Sequence, residues 1–217
     1  MGKLAIVAGL LMLKLPAWVS ALWYLGRRTQ IDGNTLDAKA QLICSVVNRV
    51  RASTTEEITP EISRTQLATF SKVLGGGPTP VDDVTDMTVP GPAGEMPARL
   101  YRPRNAKSGP LPILVFYHGG GWIQGDIDTH DEPCRKIANA SGGLVLSIYY
   151  RLAPEHKFPA GVDDCLAGFR WVRDHGNEIG ADTNHIAVGG DSAGSNLSIV
   201  VCQEMARLGE TGPGFQL

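Results

Sequence analysis

Cysteine is scarce in these 217 residues, and the four present, Cys44, Cys134, Cys165 and Cys202, stand far apart with no C-x-x-C pairing. That number and spacing exclude a disulfide-dense scaffold and argue against a zinc site. Reduced, mostly buried thiols are the expectation. Excess charge is lacking too: 20 basic residues face 22 acidic ones, interspersed, for a net charge of −2. No basic surface is left for a phosphate backbone, so no nucleic-acid partner is expected. There is no internal repeat. Histidine is absent where it would matter below: all five precede Ser192, and neither histidine nor aspartate follows it. What remains is an ordinary globular composition, 43% hydrophobic and 19% charged, with enough apolar material for a real core. The length allows one large domain or one and a half ordinary ones.

An uninterrupted spanning run is also missing. Residues 4–26 are largely apolar, with Lys3 before them and Arg27–Arg28 after, but Lys14 and Pro16 break the middle. A spanning helix needs about 20 apolar residues. Three readings stay open: a helix that docks on its own protein or lies on a membrane surface, an anchor or span, and a cleaved signal with Leu4–Leu13 as its apolar region. A cytoplasmic location is expected, membrane-associated if that segment lies on a bilayer.

Two helices then read from spacing. Over Asn34–Val50, Leu36, Ala40, Ile43, Val47 and Val50 form an amphipathic stripe. Over 59–74, Thr59 fits an N-cap, Pro60 the first turn and Gly75 a stop. The stretch "LGGGPTPVDD" (74–83) reads as a linker. From Val84 the pattern becomes alternating strand and helix. Residues 84–89 and 96–101 read as paired strands joined by the turn 90–95, and 112–118, 143–150 and 185–190 as buried strands. Residues 128–141, 160–176 and 196–208 read as helices. The alternation predicts a mostly parallel sheet with helices on both faces.

Two motifs carry chemistry. Gly190-Asp191-Ser192-Ala193-Gly194 matches G-x-S-x-G between an apolar strand and a helix, the context in which a serine is held on a strained turn with its Oγ exposed. A Cβ at either flanking glycine would crowd that turn. The second is the run His118-Gly119-Gly120-Gly121 after the strand 112–118. Glycine costs conformational entropy to order, so three in succession need a reason. Attack of a serine hydroxyl on an acyl carbon leaves a negative oxygen, and preorganised N–H donors aimed at it are the largest catalytic effect in many enzymes. A side-chain-free loop can offer such amides, with the amide of the residue after the serine as a partner.

Together with "YYRLAPEHKFPAG" (149–161), the stretches "YHGGGW" (117–122) and "GGDSAGSN" (189–196) make the chain resemble the hormone-sensitive-lipase-like branch of the α/β-hydrolases, a bacterial esterase/lipase group marked by HGGG and GDSAG. The resemblance runs from about Val84 to the last residue. It implies an α/β-hydrolase fold with its C-terminal part missing from this chain. Ser192 becomes the nucleophile and the amides of Gly120, Gly121 and Ala193 the oxyanion hole. Gly119 shapes the turn, and His118 orients the loop through a hydrogen bond. No metal or organic cofactor is implied, and a small-molecule ester is the expected substrate. The implied layout is an apolar segment at 1–30, a helical cap-contributing region and linker at 31–80, and an incomplete hydrolase domain at 81–217.

In the 149–161 loop, Arg151 and Glu155 are expected to form an ion pair that shapes it, and His156 is given no chemistry. His130, His175 and His185 read as ordinary loop or helix-end residues. Asp191 sits on the wrong side of the turn to orient a base, and Trp122 is expected at the pocket rim. A serine needs a neighbouring base, and in this fold acid and histidine follow the serine in the chain. Only Glu204 and Glu210 do so here. The chain is therefore expected to be an incomplete piece of a longer hydrolase, poorly stable and inactive alone, with the last strand 185–190 left with an open edge. A complete but catalytically dead protein is the other explanation. The competing functions are a non-catalytic small-molecule binder on the same scaffold and an amide or N-acetyl hydrolase. Oligomeric state is not readable.

Overall fold

The computed structural model describes residue 9 and residues 11–12, 15–53, 58–75 and 77–217. Residues 4–8, 10, 13 and 14 of the apolar segment lie outside the described residues. Among the described residues no helix is long and apolar enough to cross a membrane. The chain divides into two compact units, Met1–Ile58 and Thr59–Leu217.

The first unit holds helix α1 (Ala17–Trp23), a two-residue hairpin pairing β1 (Gln30–Ile31) with β2 (Asn34–Thr35), and helix α2 (Ala38–Ser53). α2 starts later than its apolar spacing suggests. Asp37 caps it, its Oδ1 accepting from the amides of Lys39 (2.9 Å) and Ala40 (3.1 Å), and a carboxylate is a strong N-cap. Its buried face is Ala38, Leu42 and Val46, while Leu36 and Ile43 are exposed. The stripe expected at Leu36, Ala40, Ile43 and Val47 is thus out of phase with the buried one.

The second unit opens with helix α3 (Pro60–Leu74), and there the local signals hold. The Ile62 amide donates to Thr59 Oγ1 at 3.3 Å, Pro60 occupies the first turn, and Gly75 ends the helix. There follow β3 (Asp83–Gly91), β4 (Gly94–Arg102), β5 (Leu111–Tyr117), α4 (Asp131–Ser141), β6 (Leu144–Ile148), α5 (Ala160–His175), β7 (Ala181–Gly190), α6 (Ala193–Leu208) and β8 (Phe215–Gln216). Their six-stranded sheet has the order β3-β4-β6-β5-β7-β8. β3, β4 and β6 pair antiparallel; β6, β5, β7 and β8 run parallel.

Alternation along the strands shows why helices cover both faces. Ile113, Val115 and Tyr117 of β5 join Leu166, Phe169 and Val172 of α5 and Leu197 and Val201 of α6 in one core. Leu114 and Phe116, pointing the other way, join Cys134 and Ala138 of α4 in a second. A strand apolar on both sides is what a parallel sheet between two helical layers requires. Cys134 and Cys165 are buried, Cys202 is half-buried and Cys44 exposed, all as free thiols. The edge of β7 is not open as expected. Ala187 and Val188 pair with Phe215 and Gln216, and the amides of Gly214 and Leu217 donate to Ile186 O (2.9 Å) and Val188 O (3.0 Å). A two-residue strand is too short to leave a periodic trace in the sequence.

Candidate active site

β5 and β7 are parallel neighbours with Tyr117 opposite Gly190. The glycine loop and the G-x-S-x-G turn therefore leave the same end of the sheet side by side. Space there is so short that side chains are excluded. A Cβ at Gly190 would lie 2.1 Å from Tyr117 O, and one at Gly194 only 1.8 Å from the same oxygen. The crowding that forces both glycines thus comes from the neighbouring strand as well as from the turn itself.

Ser192 sits between them with φ 50° and ψ −113°, a left-handed φ that costs a non-glycine residue of order 1–3 kcal/mol. It occupies the N-cap position of α6, where a serine ordinarily hydrogen-bonds the first turn, yet its hydroxyl makes no such bond. The residue is exposed. A strained serine with a free hydroxyl lies at the positive end of a 16-residue helix. Ala193, the first residue of that helix, is buried.

The other loop is built to match. Gly119 is buried, and its amide donates to Asp191 Oδ1 at 2.9 Å. A Cβ on Gly119 would collide with that carboxylate, 2.1 Å from Oδ2. Gly120 has φ 125° and Gly121 φ 62°, conformations that favour glycine. Nothing lies within 4 Å of a Cβ built on Gly121, so there the backbone conformation, not crowding, demands glycine.

His118 is fully buried. It stacks on Tyr150 with ring centroids 4.4 Å apart, and its Nδ1 lies 2.9 Å from Gly119 O. Burial pushes its pKa down to about 4, the Gly119 carbonyl opposing only in part. The ring is therefore neutral at pH 7. Facing a carbonyl oxygen, Nδ1 must carry the proton and donate it. Nε2 is buried with no hydrogen-bond partner among the described residues. Tyr150 Oη donates to His118 O at 2.7 Å and fixes the backbone from below.

Asp191 does more than stand beside the serine. Besides the Gly119 amide it meets His130 Nε2, 3.2 Å from its Oδ1. Burial works to raise its pKa, but His130 and the Gly119 amide outweigh it and hold the carboxyl below its ordinary value. His130 stands at the start of α4, as a helix-end residue would, and from there tethers the turn that carries Ser192.

The ion pair expected between Arg151 and Glu155 does not form. Arg151 is bidentate to buried Asp164 (Nη2 to Oδ1 2.8 Å, Nε to Oδ2 2.9 Å), and the Arg151 amide donates to the same carboxylate at 2.8 Å. Glu155 pairs instead with Arg64 of α3, which holds its pKa down to about 2. Neither Asp164 nor Arg64 stood out in the sequence. His175 and His185 are exposed and lie beside Glu178 and Asp182 near their own segments. None of the five histidines hydrogen-bonds Ser192 among the described residues, and no group of three histidine, cysteine, aspartate or glutamate residues there could hold a metal ion.

Beside the glycine loop opens a cavity of about 500 Å³, lined by Gly121, Trp122, Phe158, Val162, Leu197 and Val200 among others. That is the size of a small-molecule pocket. Trp122 stands half-exposed at its edge.

Comparison with known proteins bears on the fold that carries this arrangement. An α/β-hydrolase family model matches residues 114–217. The chain has the α/β-hydrolase fold. The hormone-sensitive-lipase-like esterase branch that its motifs resemble is supported by its relatives. It is 50% identical over 181 residues to carboxylic ester hydrolase LipN of Mycobacterium tuberculosis, matching 82% of this chain and 47% of LipN. Among solved structures, the ester-hydrolase EH1AB1 from the metagenome of Lake Arreo, complexed with a bipyridine phosphonate derivative, superposes with TM-score 0.75. The identity is 43%, covering 81% of this chain and 56% of that one. The hyperthermophilic esterase of Pyrobaculum calidifontis superposes with TM-score 0.69 at 42% identity, covering 73% and 52%. The chain spans about half the length of these relatives.

Proposed function

We propose that this chain is a serine carboxylesterase acting through an acyl-enzyme on Ser192, with the amides of Gly120, Gly121 and Ala193 receiving the oxyanion. The observation that carries the reading is Ser192 itself: a left-handed φ at an N-cap whose hydroxyl leaves the helix uncapped. Strain of that kind is retained where the side chain is needed elsewhere. Attack of Oγ on the ester carbonyl transfers the acyl group to Ser192 and expels the alcohol, and water then releases the acid. An oxyanion donor in such a site contributes about 3–4 kcal/mol of transition-state stabilisation. The apolar cavity beside Gly121 would take a nonpolar part of the substrate. The proton acceptor is not assigned within these residues, since no histidine follows Ser192 and none hydrogen-bonds it. The reading gives this chain the nucleophile and the oxyanion cradle.

A fluorophosphonate probe tests it. The adduct is expected on Ser192 by peptide mass spectrometry, slowly in this chain and rapidly in a chimera carrying the remaining half of LipN. Ser192→Ala should lose it in both. An adduct on another residue, or none in the chimera, overturns the assignment.

A further inference from the structure

One side chain outside the sheet grips the glycine loop. Arg64, near the start of α3, donates Nε to Ile123 O at 2.8 Å and Nη2 to Ala153 O at 3.1 Å. Its Nη1 and Nη2 also clasp the Glu155 carboxylate at 2.8 and 2.7 Å. Next to it, Ser63 Oγ donates to Gln124 Oε1 at 2.7 Å. The segment so held is closed on itself. The amides of Ile123 and Gln124 both donate to Gly120 O, at 3.2 and 3.0 Å, and a Cβ on Gly120 would lie 2.1 Å from Gln124 O. The Ala153 amide in turn donates to Trp122 O at 2.8 Å. Gly120 O shares a planar peptide group with the Gly121 amide, so that amide cannot turn without moving Ile123 and Gln124, and the carbonyl of Ile123 is pinned by a guanidinium.

Resting on the esterase reading, we propose that Arg64 is a positioning residue for the oxyanion hole, setting the direction of the Gly121 amide through Ile123, Ala153 and Glu155. The Coulombic pair with Glu155 is not what matters. Arg64 and Glu155 are 31% and 48% exposed, and pairs that exposed add little to stability. What a planar guanidinium supplies is several directed donors in one rigid group. Here they reach three points on two loops, Ile123 O on one and Ala153 O and the Glu155 carboxylate on the other, whereas Ser63 reaches Gln124 of the first loop. A lysine carries the charge but not the fork.

Hydrogen exchange and probe kinetics on the 217-residue chain test the proposal with Arg64→Met, Arg64→Lys and Glu155→Gln. In Arg64→Met the amides of Ile123 and Gln124 should exchange about tenfold faster, the loss of a charge-assisted hydrogen bond. Peptides from β5 and α5 should keep their protection. The saturating rate of phosphonylation at Ser192 should fall about tenfold while the half-saturating probe concentration stays unchanged. Arg64→Lys should restore only part of both effects, and Glu155→Gln, which keeps the two carbonyl contacts, should lose less than Arg64→Met. Unchanged exchange at 123–124, full rescue by lysine, or faster exchange throughout the sheet overturns the proposal. If exchange responds as expected but Ser192 takes no label in any form, nor in the LipN chimera, the grip on the loop stands and the serine assignment is what fails.

Discussion

Lowering the pH from 7 to 5 is expected to cost the fold about 2 kcal/mol through His118 alone. The residue is fully buried, packed against Tyr150 and 5.5 Å from the His130 ring. That burial pushes its pKa down to about 4, whereas an unfolded chain takes up the proton near 6.5. Between those values the unfolded state binds more protons than the folded one, so stability falls as pH falls. The penalty is absent well above 6.5 and complete below 4, where it reaches about 3 kcal/mol at roughly 1.4 kcal/mol per pH unit. Carboxylates held low in the fold, Asp191 and Glu155 among them, act in the same direction but titrate below that window. Urea midpoints followed by tryptophan fluorescence at pH 7, 6 and 5 would measure the effect. His118→Gln cannot be protonated; it should start less stable and show a much flatter profile. A stability that does not change between pH 7 and 5, or an equal fall in His118→Gln, would refute the reasoning.

Two further pairs of substitutions test the packing around the site. Gly194→Ala puts a methyl 1.8 Å from Tyr117 O, which neither backbone can accommodate without parting β5 from β7. It should destabilise by about 3 kcal/mol or more, while Gly77→Ala, with nothing within 4 Å, should change the melting temperature little. Asp164→Ala strips Arg151 of a buried partner and should cost about 3 kcal/mol. Glu155→Ala, in an exposed pair, should leave the thermal midpoint nearly unchanged; equal losses from the two would mean that the loop is not held by Asp164.

What was legible in the sequence was whatever depends on period and punctuation. β5 reads as apolar on both faces because both faces are covered, and Thr59, Pro60 and Gly75 mark α3 because caps are local chemistry. The G-x-S-x-G turn is legible for a similar reason: glycines forced by close approach leave a pattern that needs no knowledge of the neighbour. Partners were not legible. Arg151 and Glu155 stand four apart, a spacing that brings side chains together only on a helix, and residues 151–155 are not helical. Asp164 lies thirteen residues on, in α5, and Arg64 reaches Glu155 across ninety-one residues. α2 shows the same limit from another side, its true start set by Asp37 and its buried face by Ala38, Leu42 and Val46.

The precision of the site is inherited from the core. A catalytic group is useful only if held within about 0.5 Å of its place, and two loops would not hold that tolerance alone. Here the loops are continuations of β5 and β7, whose register is set over five successive pairs from Ile113↔Ile186 to Tyr117↔Gly190. A slip of one residue would exchange the faces of Val115 and Phe116 and break both cores. The register that buries those side chains therefore also sets Gly119 against Asp191, the residue before Ser192. Asp191 converts strand register into loop register through one hydrogen bond, and His130 fixes Asp191 from α4 on the opposite helical layer. Arg64 then holds the glycine loop from α3, at the carbonyl of Ile123.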